Sequence, residues 1–173
     1  MKLVRVILTG LVVTLTVTNI YAAFLDTGWE GARPAGLGQM FVAFADDVNA
    51  VVWNPAGLVQ INNREGTFTY TKPFFGLSSS VDIGYNYLAF AQKIPKFGGT
   101  LGVGWTSLAH SDLYKENVYI ASLARLLQAN QDRKISVGVN VKMMEQWTNL
   151  DYLLNKNDPM AAQNKSKTVY TID

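Results

Sequence analysis

Between Arg133 and Trp147 the chain alternates in character. Ile135, Val137, Val139, Val141 and Met143 fall on one side, and Ser136, Gly138, Asn140, Lys142 and Met144 fall on the other. A period of two belongs to a strand with two different faces. Leu101, Val103 and Trp105 alternate in the same way with Gly102, Gly104 and Thr106. Asn117, Tyr119 and Ala121 oppose Val118, Ile120 and Ser122, and the tyrosine-rich stretch 82–92 is also extended. Six strands are predicted, at about 66–72, 81–92, 99–108, 114–127, 133–147 and 168–173. Several reach the roughly 9–11 residues of a tilted membrane-spanning strand, where a globular strand averages about 5–6. Small and polar residues on one face with apolar and aromatic residues on the other suit a barrel with a wet or small-residue interior. An antiparallel sheet with one dry face has the same alternation.

The connections have a parity. "KIPKFGG" and "QANQD" are short and join strands two to three and four to five, while the polar "TNLDYLLNKNDPMAAQNKSK" joins strands five and six. Outer-membrane barrels have short periplasmic turns and longer external loops. With the N-terminal segment in the periplasm, Thr148 to Lys167 is expected outside and Ile94 to Gly99 in the periplasm. Six strands are fewer than the eight that the smallest such barrels use. The chain is therefore expected to be the N-terminal part of a longer protein, or a truncated gene product.

Before the strands the period is helical. Leu37, Met40, Phe41, Phe44, Val48, Val51 and Val52 form an i, i+3, i+4 stripe. One helix is predicted to end near Trp53, because the residue before a proline is pushed out of the α region. Asn54 then caps a short second turn with Pro55 at its first position, and Gly57 lets that turn close. The helix has few cations, which argues against a surface-lying membrane helix.

The first 23 residues have the pattern of a signal peptide. Lys2 and Arg5 precede an apolar run from Val6 to Val17, and Ala22 and Ala23 follow. The alternative is an uncleaved anchor, for which the run is short. Composition narrows the chemistry. There is no cysteine and one histidine, His110, so disulfides, thiolate metal sites and multi-histidine sites are excluded. Charged residues make up 16%, low against about 25% for soluble domains. Beyond Phe24 the chain has 13 basic and 13 acidic residues, with no electrostatic footprint for nucleic acid.

The stretch "GARPAGLGQMFVAFADDVNAVVWNPAGL", Gly31 to Leu58, resembles the N-terminal signature of PorV/PorQ-type outer-membrane proteins and the wider FadL family of long-chain fatty-acid transporters. The matching positions are Gly31, Ala32, Arg33, Gly36, Gly38, Ala43, Ala45, Asp46, Asp47, Ala50, Asn54, Pro55, Ala56, Gly57 and Leu58. Pro34 and Gln39 depart from it. The resemblance covers about thirty residues and implies an all-β, antiparallel transmembrane barrel of 14 strands with an N-terminal hatch inside. Residues 1–23 are then the signal peptide, 24–65 the hatch and 66–173 the first strands, in the outer membrane of a diderm bacterium. It implies passage of hydrophobic small molecules such as long-chain fatty acids, or a type IX secretion role in which the protein holds a secreted client. Lipid, a hydrophobic ligand and secreted proteins are the expected partners. No nucleic acid, catalysis, cofactor or metal is expected.

Gating and ligand contact are expected at Asn54, Pro55, Ala56 and Gly57, with Phe44 and Trp53, since a capped Asn-Pro turn is a defined hinge. Arg33, Asp46 and Asp47 are expected as structural contacts of the hatch. Adjacent aspartates on a helix point about 100° apart and do not converge as a paired-acid site does. Their expected role is to pin the hatch to lumen-facing donors. His110 is expected in an exposed loop. Trp29, Trp53, Trp105 and Trp147 suit a ligand pocket or an interfacial girdle. Phe74 and Phe75 suit either ligand capture or packing over the barrel mouth.

Overall fold

In the computed structural model the chain is described over residues 29–73, 76, 83–111, 113–129, 134–149 and 165–173. The expected signal peptide, the Phe74-Phe75 pair and most of the long connection after Thr148 lie outside these residues. The described chain is mostly antiparallel sheet. Its strands are β1 (Arg64–Thr71), β2 (Ile83–Ile94), β3 (Gly99–His110), β4 (Tyr114–Ala129), β5 (Lys134–Thr148) and β6 (Lys165–Ile172). Each pairs antiparallel with the next, in the order β1 to β6, and the sheet is open at both edges. All six predicted strands are present. His110 is a correction: it closes β3, opposite Tyr114, rather than lying in a loop.

The uncovered face of the sheet is apolar, and the covered face mixes core residues such as Tyr87, Ile120 and Ala124 with small and polar ones. On β2, Tyr85, Tyr87, Ala89 and Ala91 are buried while Leu88 and Phe90 between them are 48% and 44% exposed. The covered face carries Thr100, Thr106, Ser122 and Asn140, all buried, together with Gly102 and Gly104. The bare face carries Leu101, Val103, Leu123, Val137, Val139 and Val141. A sheet with one face in water turns polar residues to that face, and this sheet does not.

Cross-strand registers order the bare face into rows. Phe68, Leu88, Trp105, Tyr119, Met143 and Tyr170 are successive partners across all six strands. The next row towards the long connections is polar from β2 onward: Asn86, Ser107, Asn117, Glu145 and Thr168. The apolar belt slants across these rows. On β1 it occupies Phe68 and Tyr70, and on β5 it reaches down to Ile135. Strand tilt in a closed sheet gives such a slant.

The N-terminal segment does not form the single predicted helix. It folds as α1 (Ala32–Gly36), α2 (Phe41–Phe44), α3 (Ala50–Trp53) and a 3-10 turn (Pro55–Gln60). Gln39 and Ala45 have φ of 66° and 36°, in the left-handed region, and break the helix on either side of α2. Asp47 also competes with helix formation, because its Oδ1 accepts from the Asn49 backbone N–H at 2.8 Å. The predicted stripe is therefore split. Phe41, Val48 and Val51 are buried, whereas Met40 and Phe44 are 67% and 57% exposed. Among the described residues no helix is long and apolar enough to cross a membrane.

Candidate functional site

The N-terminal segment lies on the covered face, and glycines on the sheet make room for it. Val51 sits over β3, where a Cβ on Gly102 or Gly104 would come within 2.7 or 2.9 Å of its methyl groups. Leu58 flanks Gly102 as well. On β5, a Cβ on Gly138 would collide with the backbone of Pro55 and Ala56. Leu58, Ile61, Val51 and Phe41 are each no more than 1% exposed. Each contributes about 1.5–3 kcal/mol to docking and folding of the segment.

Polar contacts fix the same region. The Val51 carbonyl, in α3, accepts from Asn140 Nδ2 at 3.0 Å and from Ser122 Oγ at 3.4 Å. Glu65 of β1 accepts from the Val48 N–H at 3.0 Å. Tyr85 donates its hydroxyl to Glu30 at 2.6 Å, and the Trp53 indole N–H donates to the Glu30 carbonyl at 2.9 Å.

Asn54 does not cap the turn that follows it. Its side chain makes no cap hydrogen bond, and its Nδ2 donates instead to the Val42 carbonyl at 3.1 Å, tying α2 to the Asn-Pro corner. Pro55 does occupy the start of the turn. Gly57 serves close approach, since a Cβ there would strike the Ala45 backbone. Asn54 to Gly57 thus lie between α2 and β5 as a packed wedge. Trp53 is half-buried beside them. Phe44 is exposed, and its carbonyl accepts from Gln60 Nε2 at 3.1 Å.

Asp46 and Asp47 are not on a helix, and they do converge. Both accept from Arg33, Asp47 at 2.7 Å and Asp46 through Nη2 at 3.1 Å. The guanidinium also lies 5.3 Å from the Phe41 ring centre. The segment is thus pinned to itself here rather than to donors on the sheet. Arg33 holds the Asp46 carboxyl below the usual carboxylate range, and the two acids raise Arg33 further. A depressed carboxyl stabilises the fold above its unfolded pKa of about 4 and loses that contribution as pH falls through the lower folded value. The segment should therefore loosen only below about pH 4, and by less than about 1 kcal/mol because the pair is exposed. Thermal midpoints measured from pH 3 to 7 will show the loss in the native chain and not in Arg33→Met.

A cavity of about 240 Å³ opens between the segment and the sheet. Val52, Leu108, Val118, Ile120 and Met144 give it apolar walls, and the carboxylates of Glu30 and Glu116 also face it. Both acids are 4% exposed. Lys142 lines it too, with its ammonium paired to Asp173. Sequence reasoning missed Glu30 and Glu116, because a lone acid in an alternating strand has no mark of burial. Among the described residues no group of acids or histidines forms a metal site. Comparison with family models, with curated proteins and with solved structures gives no match.

Proposed function

We propose that this chain is the first part of an outer-membrane β-barrel whose N-terminal segment is an internal hatch, and that the barrel passes hydrophobic small molecules. The observation that carries the reading is the apolar uncovered face of the sheet. This bare face is a belt suited to lipid, and the covered face holds the segment that resembles the hatch signature. In lipid the open edges of β1 and β6 require partner strands, because unpaired backbone groups are too costly there. The cavity narrows the ligand. The two buried carboxyl groups that face it already accept hydrogen bonds from tyrosines, and the ammonium that lines it is already paired, so among the described residues no free cation is there to hold an anionic head group. Uncharged long-chain compounds therefore fit this space better than ionised fatty acids do.

Uptake of a labelled long-chain alcohol and of the matching acid by cells carrying the full-length protein tests the proposal. The alcohol should enter faster. Asn54→Ala removes the bond to Val42, worth about 1 kcal/mol, and should raise ion leak across planar bilayers. Uptake that does not depend on the protein, with crosslinking to a secreted client, would replace transport with the client-holding role.

A further inference from the structure

We propose that the short-turn end of the sheet carries a basic collar that binds the phosphates of anionic phospholipids in the adjoining leaflet. The collar is made by Arg64 of β1, Lys96 of the β2–β3 turn and Arg125 of β4. All three are exposed, and none has an ion-pair partner among the described residues. The inference rests on the reading that the bare face meets lipid.

Their arrangement carries the proposal. The cations do not share one register row. Arg64 pairs with Gln92 in the row of Leu101 and Val139, whereas Arg125 is one row lower, opposite Gly99 and Val137. Lys134 pairs with Ala129 and alternates with Ile135, so it has the covered-face parity and is not part of the collar. Lys96 follows Ile94 in the turn. These steps follow the slant of the apolar belt, whose lower edge also descends from β1 to β5. Cations that track the edge of the belt sit at one depth in a bilayer, the depth of the head groups. At the opposite border the signs mix, with Lys115 and Glu145 on the bare face.

No acid of the described residues offsets the collar on the bare face. Glu65, the nearest, is on the covered face and accepts from the Val48 N–H. Asp132 and Arg133, in the connection before β5, lie outside the described residues and cancel in sign. A guanidinium grips phosphate oxygens in a bidentate fork, and a lysine adds a point charge. The apolar belt directly above receives the acyl chains. The occupant that matches both features is an anionic phospholipid, not free phosphate.

Native mass spectrometry of the full-length protein in detergent, with phosphatidylglycerol or phosphatidylcholine of equal chain length, tests this. Phosphatidylglycerol should be retained at least about tenfold better, because each exposed cation at the border adds attraction for a charged head group. The preference should shrink with added salt in the unaltered protein, a measurement that needs no variant. Arg64→Gln, Lys96→Gln and Arg125→Gln together should bring it below about twofold. Equal retention of the two lipids by the unaltered protein would overturn the collar. Flotation with phosphatidylcholine liposomes separates the two readings. A protein that floats but has no lipid preference lacks the collar alone, and one that does not float removes the membrane reading and the collar with it.

Discussion

Gly138→Val should detach the N-terminal segment from the sheet while leaving the strands paired. A Cβ at this position would meet the Ala56 Cα at 2.8 Å and would lie closer still to the Pro55–Ala56 peptide. Backbone cannot rotate aside as a flexible side chain can, so the turn itself must lift. Overpacking of this kind costs about 1–3 kcal/mol and sometimes more. The contacts beside it then weaken together, because Val51 and Leu58 are held by the same fit over Gly102. Gly36→Val is the control, since nothing lies within 4 Å of a Cβ there. Limited proteolysis of the full-length protein reads the difference. Cleavage between Gly38 and Gln60 should become rapid in Gly138→Val and stay slow in Gly36→Val, with strand content by circular dichroism unchanged in both. Equal resistance in the two variants would show that the seat on β5 does not hold the segment.

This seat was half legible in the sequence. The alternation of Gly102 and Gly104 with Leu101, Val103 and Trp105 marked β3 as having one face of small residues. Nothing in the pattern said that Val51 would occupy that space. A glycine's use depends on what approaches it from elsewhere in the chain, and the contact joins residues about fifty positions apart. The six strands were legible because alternation is local, and it survives wherever one face differs from the other. The helices were not. A stripe from Leu37 to Val52 gives the polarity of a helix without the breaks at Gln39 and Ala45, which arise from backbone conformations that neither residue type favours. The convergence of Asp46 and Asp47 on Arg33 was hidden for the same reason. The 100° rule holds on a helix, and these residues had left it.

Val103→Arg should block insertion of the protein into a bilayer, which makes it the sharpest test of the apolar bare face. Val103 lies within the belt, between Phe90 and Ala121 in register and 55% exposed on the bare face. An arginine facing lipid at mid-depth costs about 2–4 kcal/mol in barrel strands, falling to about 0–1 kcal/mol near the interface. The same substitution at Asn117, in the polar row beyond Tyr119, should therefore be tolerated. Refolding the full-length protein into liposomes, with the heat-dependent shift in electrophoretic mobility as readout, compares the two. The folded fraction should fall sharply for Val103→Arg and remain near the unaltered value for Asn117→Arg. Water in place of lipid predicts the opposite sign. An exposed valine replaced by a charge then loses no favourable contact, and breaking an apolar belt improves solubility. A Val103→Arg protein that is more soluble and equally folded without detergent would end the membrane reading.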